Sequence, residues 1–269
     1  MAVVALHSAA TGLSALSTEI DIIANNLANT NTVGFKGQRA NFEDLLYEEK
    51  QQPGVENANG DIRPAGLYVG LGTRISNTQF DFTTGSAVNT SRDLDMMIRG
   101  PGFFKTKILE EDGGGFGYTR AGNFFSNRDG DLVLGNSDGP RLEPPINLPP
   151  DTVRVQISVD GTVNVFLPGA TDPTNVGQIE LSSFVNPGGL KAFGKNLFLE
   201  TAASGPAIEG TPGEGTLGTI SGGQLESSNV DPVTELVKLI KTQRAFEMNS
   251  QTIQAADEAL QVISNLRRF

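Results

Sequence analysis

The chain has 269 residues, 38% of them hydrophobic, enough for a real core and for one or two domains of roughly 100–200 residues each. A formal net charge of −11 argues against nucleic acid and anionic membranes, which are bound through basic patches, and favours solubility and mutual repulsion of free subunits. The lack of cysteine excludes disulfides, thiol nucleophiles and thiolate metal sites, and no run of about 18 apolar residues is present to span a membrane.

Met1 to Leu6 carries no lysine or arginine, and Ser8, Thr11, Ser14, Ser17, Glu19 and Asp21 break up the stretch that follows. No cleaved secretion signal is therefore expected. The first 30 residues read instead as one helix. Leu6, Leu13, Ile20 and Leu27 are spaced by seven, and Ala9, Leu16 and Ile23 repeat the spacing with an offset of three. Together they form the a/d seam of a coiled coil. Asn29, Asn31 and Gly34 tolerate turn conformations and should end it.

Gln51 to Gly66 is rich in Pro, Gly and Asn and reads as an extended arm. Beyond it the apolar period changes to two. Val153, Val155, Ile157 and Val159 alternate, Asp160-Gly161 turns, and Val163 and Val165 alternate again, which is a hairpin. A weaker hairpin surrounds Asp129-Gly130, between Phe125 and the pair Leu132 and Leu134. Glycine is abundant, 32 of 269 residues, in keeping with the many turns of a β-rich body. Ala202 to Gly223 reads as a second arm. The last 40 residues read as a second helix, with Asp231 as N-cap, Pro232 at the first helical position, and Arg267 and Arg268 at the negative end of the dipole. Leu239, Phe246, Ile253 and Leu260 are again seven apart, and Leu236, Ile240, Ala256 and Ile263 widen the stripe.

The expected fold is α+β. Residues 1–33 and 228–269 form a discontinuous coiled-coil domain, 34–74 and 203–227 are extended connecting arms, and 75–202 is a β-rich middle domain. The C-terminal stripe is too wide for a single partner helix to cover, since Leu236, Leu239 and Ile240 point in different directions. Packing against other copies is the economical solution, and contacts between unlike surfaces that do not close into a ring build a helical filament.

Catalytic chemistry has little to work with, and no cofactor is implied. His7 is the single histidine, beside the seam, so a Ser/His/Asp site would depend on one imidazole. Asp129-Gly130-Asp131 lacks the spacing and terminal Glu of a calcium loop and reads as a turn. Asp93 and Asp95, two apart, fit alternation at a strand edge. Gly113-Gly114-Gly115 lacks the following Lys-Ser/Thr of a phosphate loop.

Ala24-Asn25-Asn26-Leu27-Ala28-Asn29-Thr30 with Val33-Gly34-Phe35-Lys36 resembles the signature of the bacterial flagellar rod and hook proteins. Ser228-Asn229-Val230-Asp231 with Gln243-Arg244-Ala245-Phe246-Glu247-Met248-Asn249 is similar to the C-terminal helix of that family. Ile98-Arg99-Gly100-Pro101-Gly102-Phe103-Phe104, Tyr118-Thr119-Arg120-Ala121-Gly122, Gly188-Gly189-Leu190 and Gly194-Lys195-Asn196-Leu197 match its β domain. The arm through Tyr47, Pro53, Pro64 and Leu67 is similar to a segment of the distal-rod members; Asp112 to Gly115 departs from the family pattern at an expected hairpin tip. The resemblance implies a structural subunit, not an enzyme, that self-assembles into a helical tube and transmits motor torque to the hook. It implies proximal rod subunits, the hook protein, the outer-membrane and peptidoglycan ring bushing and the flagellar type III export apparatus as partners. It places the chain in the basal body, spanning the periplasm. On this reading Leu6, Leu13, Leu16, Ile20, Ile23, Leu27, Leu236, Leu239, Ile240, Phe246, Ile253, Leu260 and Ile263 pack subunits together. Phe42 and Leu46 form the loose pattern thought to engage the export gate in such subunits; burial of both at the base of the arm is a second, compatible reading. Another axial subunit, a secreted glycan-acting enzyme with paired carboxylates, and an adhesin or translocator remain alternatives at this point.

Overall fold

The computed structural model describes residues 2–54, 64–109, 114–169 and 172–266, with side-chain environments from 4 to 262 within those spans. The chain forms two compact units: Met1–Leu27, Gln38–Gln79 and Asp231–Phe269 in one, Ala28–Gly37 and Phe80–Val230 in the other. The class is α+β, with a helix at each end and β structure between them.

The first unit holds both long helices, α1 (Ala2–Ala28) and α2 (Pro232–Leu266). Asp231 caps α2 as expected: its carboxylate accepts the Val233 N–H at 3.1 Å and the Thr234 hydroxyl at 2.5 Å. Along α2 the residues withdrawn from solvent include Glu235, Leu239, Thr242, Phe246, Asn249, Ile253, Ala256 and Leu260, alternately four and three apart, with Ala245 and Ser250 beside them. This heptad repeat keeps the expected Leu239, Phe246, Ile253 and Leu260 and adds polar positions between them. On α1 the buried face is Ala9, Gly12, Ala15, Ile22, Ile23 and Asn26, while Leu6, Leu13, Leu16, Ile20 and Leu27 are only half-buried. The small residues let a neighbour approach closely: a Cβ placed on Gly12 would lie 3.0 Å from Asn249 Nδ2. Near the other end of the pair, Asn26 Nδ2 lies 3.4 Å from Glu235 Oε2. The helices therefore meet antiparallel; these two contacts do not by themselves establish a coiled coil interdigitated along both seams.

The segment 34–74, expected to be a plain connecting arm, carries four strands with Thr73–Phe80 included. β1 (Gln38–Asp44) lies beside β4 (Thr73–Phe80), and β2 (Tyr47–Gln51) pairs antiparallel with β3 (Leu67–Gly70). The two pairs are continuous through Leu45 N–H to the Gly72 carbonyl (2.9 Å) and Leu71 N–H to the Leu46 carbonyl (3.1 Å). The hydroxyls that interrupt the apolar pattern of α1 fasten this ribbon to the helix. Ser8 Oγ donates to the Gly70 carbonyl at 3.3 Å, and Thr11 Oγ1 accepts the Thr73 N–H at 3.4 Å. Gly72 has φ +113° and passes so close to Thr11 that a Cβ would come within 2.1 Å of its hydroxyl oxygen.

The second unit is a β body. Its main sheet has nine strands among the described residues. Leu197–Leu199, Phe116–Thr119, Phe103–Lys107, Arg141–Glu143, Leu132–Leu134 and Phe124–Ser126 are successive neighbours, Lys191–Gly194 flanks Leu197–Leu199, and Leu181–Ser183 with Ile208–Gly210 branches from Phe103–Lys107. The expected hairpin is present: Arg154–Ile157 pairs with Thr162–Phe166 in the register Val155↔Val165 and Ile157↔Val163. Val163 and Val165 are fully buried and Val155 is buried, whereas Val153 and Val159 lie beyond the paired residues and are exposed. Asp160 accepts the Thr162 N–H and hydroxyl, and Gly161 takes φ +82° with Ile179 O 2.4 Å from the position of a Cβ, so only glycine fits. The Asp129-Gly130 hairpin also forms, but Phe124 rather than Phe125 faces inward with Leu132 and Leu134. The core joins Met96, Ile98, Phe104, Phe124, Leu142, Ile146, Val163, Ile179, Leu181 and Ile220; beside it Phe103, Tyr118, Phe184 and Phe198 pack with Phe80 and Phe82, mostly edge to face.

The expected arm 203–227 carries three short strands. Ile208–Gly210 extends the main sheet, Thr219–Gly222 pairs with Met96–Arg99 in the register Ile220↔Ile98, and Gln224–Glu226 pairs with Ala87–Asn89. The glycines that suggested a linker serve close packing here: a Cβ on Gly218 would lie 2.5 Å from the Arg99 carbonyl oxygen.

Candidate functional site

Two polar joints hold the chain where it enters and leaves its helices, one in each unit. In the helical unit the joint is Asn26, 3% exposed on α1. Its Oδ1 accepts the Gln38 N–H at 2.9 Å and its Nδ2 donates to the Gln38 carbonyl at 2.7 Å. The amide thus satisfies both main-chain groups of the residue that opens β1, and only Asn offers a donor and an acceptor at that length. Glu235, at the start of α2, stands 3.4 Å from the same Nδ2 and is itself bound by Lys238 at 2.6 Å. One side chain ties α1, β1 and α2 together.

In the β body the joint is built around Glu226. Its Oε1 accepts Lys36 Nζ at 2.6 Å and the Gly85 N–H at 2.9 Å, and its main-chain carbonyl accepts the Gly34 N–H at 2.8 Å. Arg120 Nε lies 3.7 Å from Glu226 Oε2, and Arg120 Nη2 donates to the Gly100 carbonyl at 2.8 Å. The side chains of Lys36 and Glu226 are wholly inaccessible and that of Arg120 is 2% exposed. Burial pushes the Lys36 ammonium below its usual range, with Glu226 opposing the shift and Arg120 adding to it. Burial also lowers Arg120, again opposed by Glu226. Asn229 completes the joint: its Oδ1 accepts the Gly37 N–H at 2.8 Å and its Nδ2 donates to the Asp81 carbonyl at 2.7 Å. Gly34 has φ +66° and a Cβ there would sit 2.6 Å from Ala121 N, so the turn out of α1 requires glycine.

The sequence motifs contain Asn26, Lys36, Arg120 and Asn229 but assign them no role, Gly34 is expected only to end the helix, and Glu226 stands in a stretch taken for an arm. One signal was available: single charges set among glycine and apolar neighbours, as in Gly34-Phe35-Lys36 and Thr119-Arg120-Ala121. Such charges are buried only when paired.

The residues expected to pack subunits fall into two sets. Leu239, Phe246, Ile253 and Leu260 lie on the inward stripe of α2; on α1 Ile23 is buried while Leu6, Leu13, Leu16, Ile20 and Leu27 are half-buried. Leu236 and Ile240 face outward, together with Val233, Val237 and Met248, all between 45% and 68% exposed. Ile263 lies outside the described side chains. Phe42 and Leu46 are both exposed, Leu46 at 82%, so burial at the base of the arm does not hold in the single chain. Tyr47 and Leu67 sit opposite ends of the β2–β3 ribbon with Tyr68 beside Leu67, all exposed, and Pro53 and Pro64 are exposed near its tip. Residues 55–63 of that arm lie outside the described residues.

The candidate catalytic features resolve into local structure. His7 is exposed on α1. Asn127 Oδ1 accepts the N–H groups of Asp129 and Asp131, making that segment a turn, and Asp131 binds Arg141 at 3.0 Å. Asp93 accepts the Val155 N–H at 3.2 Å, while Asp95 is buried and bridges to Asn123. A groove of about 620 Å³ lined by Phe116, Tyr118, Glu200 and Pro206 contains one carboxylate. That carboxylate approaches the Tyr118 hydroxyl at 3.5 Å, and burial first, then Glu200 and Glu209, pushes the hydroxyl up to about 12. A pair of facing acids such as glycoside hydrolysis uses does not line it.

Long helices with apolar residues left facing outward, an exposed ribbon and polar groups consumed in joints define a structural subunit made for assembly. Comparison with known proteins agrees. Family models described as flagella basal body rod protein, flagellar hook protein FlgE/F/G D1 domain and flagellar basal body rod FlgEFG protein C-terminal match residues 6–36, 97–165 and 221–266. The flagellar basal-body rod protein FlgG of Caulobacter vibrioides is 44% identical over 98% of this chain and 99% of its own length. Those of Borreliella burgdorferi and Bacillus subtilis are 43% and 36% identical, each over 98% of both chains. The chain belongs to the flagellar basal-body rod protein family and is a structural rod subunit, not an enzyme.

Proposed function

We propose that the chain builds the distal part of the rod, as a helical homopolymer in which α1 and α2 form the inner layer and the β body the outer one. The observation that carries this is the outward stripe Val233, Leu236, Val237, Ile240 and Met248 on α2. An unpartnered apolar row beside a helix that already uses its inward heptad face is the surface a second copy would cover, at about 25 cal/mol per Å² of apolar area removed from water. In the polymer the two heptad faces then become the coiled-coil layer that the antiparallel contacts begin. Such a tube passes motor torque to the hook through the periplasm, contacting proximal rod subunits, the hook protein and the peptidoglycan and outer-membrane ring bushing. Export through the flagellar type III apparatus suits the lack of cysteine, and the exposed Phe42 and Leu46 are available to engage the gate.

The β2–β3 ribbon supports the distal assignment. A two-stranded ribbon is marginal alone in water, and this one exposes Leu46, Tyr47, Leu67 and Tyr68. Laid on a neighbour, it adds a contact that differs between helical registers and so stiffens the tube. The test is electron microscopy of rods formed by the chain lacking residues 48–66. Polymerisation should persist and the rods should become curved or flexible; straight rods would reduce the ribbon to a passive loop.

A further inference from the structure

We infer that the segment from Leu217 to Asn229 is a closing latch for the β body, and that the Glu226 carboxylate is the group that lets the latch shut.

The body is closed by its last residues, which pair with its first. Its final strands, Thr219–Gly222 and Gln224–Glu226, add to Met96–Arg99 and Ala87–Asn89, more than a hundred residues earlier. Ile220, 1% exposed, completes a core that includes Met96 and Ile98, and Leu217 packs against the same core. Gly223 N–H donates to the Asp95 carbonyl at 2.7 Å and Thr90 N–H to the Gly223 carbonyl at 2.8 Å, so the latch also satisfies main-chain groups of the segment it covers. Until it arrives, the inner faces of Met96–Arg99 and Ala87–Asn89 lack these partners.

The charge balance makes closure conditional. Lys36 and Arg120 precede the latch in sequence, and their side chains are 0% and 2% exposed in the closed body. Two cations without an anion resist burial, because desolvation costs more than neutral packing returns. Glu226 is the carboxylate that reaches both, at 2.6 Å and 3.7 Å. Asp81 also bears electrostatically on Lys36, but it is no partner of Arg120. Glu226 holds three segments at once, through Gly34 and Lys36, Gly85, and Arg120. The body therefore closes as one event, set by the arrival of residue 226 of a 269-residue chain made N-terminus first. One consequence rests on the export route proposed above: the body would remain open until all but the last helix has been delivered. Closure itself does not depend on that reading.

The test uses the full chain and hydrogen exchange resolved by residue. In Glu226→Gln, the amides of Phe104, Leu142 and Leu181, all in the main sheet and none in the latch, should lose protection by at least a hundredfold together with those of Ile98 and Ile220. Joining Lys36→Met to Glu226→Gln removes one stranded cation while keeping the length of the side chain, and should recover most of that protection. Loss confined to Gly34, Gly85 and the latch amides would overturn the proposal, since the ion cluster would then be a local fastening. A double variant no better protected than the single one would overturn it too, because charge balance would not be the switch.

Discussion

Replacing Asn26 tests the joint of the helical unit. Asn26→Ala removes two hydrogen bonds to Gln38, 2.7 and 2.9 Å long, and leaves a main-chain donor and acceptor without their partner. Each such bond contributes about 1 kcal/mol net, and a fully buried orphan costs about 1–3 kcal/mol. Gln38 is half-buried, so water recovers part of the loss, and alanine returns roughly 0.5 kcal/mol in helix propensity. The expected destabilisation is about 2–3 kcal/mol. Asn26→Asp should be worse. It keeps the acceptor for Gln38 N–H but loses the donor and sets a carboxylate where Nδ2 now stands, 3.4 Å from Glu235 Oε2. Two unit charges at that separation repel by about 5 kcal/mol at an effective dielectric of 20, an upper bound that Lys238 reduces. The assay is urea unfolding followed by circular dichroism at the helical minimum, since both long helices lie in this unit. Asp should cost more than Ala at neutral pH, and the difference should fade on acidification through the carboxylate range. An Ala variant within about 0.5 kcal/mol of the parent, or an Asp variant no worse than Ala, would refute the account.

Other outcomes are equally specific. Leu236→Asp and Ile240→Asp lie on the outward stripe, so each should leave monomer stability within about 0.5 kcal/mol and abolish polymerisation, read by melting and by sedimentation; normal polymers from both would dismiss the stripe as an interface. Gly34→Ala meets a positive φ and a 2.6 Å approach to Ala121 N, and should cost about 2–4 kcal/mol in denaturant unfolding. Asp231 is held below its ordinary value by the Thr234 hydroxyl and then the Val233 N–H. A depressed carboxylate contributes stability that is complete above its unfolded value of about 4 and is lost as pH falls through its folded value, so α2 should fray from its N-terminus in acid. Asp231→Asn keeps a capping oxygen, and its helix signal should lose that acid-dependent step. Phe42→Ala should lower secretion while leaving assembly of supplied subunits intact; unchanged secretion would remove Phe42 from the export reading.

Much of this architecture could be read from residues alone, for reasons that differ by element. The helices announce themselves because heptad spacing persists over many turns and Asp231-Pro232 marks a start. The Asp160-Gly161 hairpin is legible because alternation on both sides agrees with a turn only glycine can make. The β2–β3 ribbon was not legible as strand, since every residue of β2 is exposed and no alternation exists to find. The strands between 203 and 227 were missed because each is three or four residues long and Thr219–Gly222 buries a single apolar side chain, Ile220. Small, turn-prone residues there looked like a linker, when they were present to let backbones touch. The joints were invisible for another reason: Lys36, Arg120 and Glu226 are far apart in sequence, and no local pattern reports which charges meet. On α1 the seven-residue spacing includes Ala9 and Ile23 of the buried face but not Gly12 and Ala15, which pack by being small.

The Glu226 joint also governs how relatives can be recombined. Its members come from three stretches of chain, around 36, 120 and 226, so a chimaera with crossovers inside the two apparent arms would take Arg120 from one parent and Lys36 from another. Where the parents differ in the length or direction of these side chains, the hybrid would carry mismatched charges in a dry interior. Exchanging 38–79 as one block, or crossing over before 34 or after 230, keeps all three from a single source. The exchangeable cassette is thus the β body together with both of its hinges, and the ribbon and helices can be traded around it as separate parts.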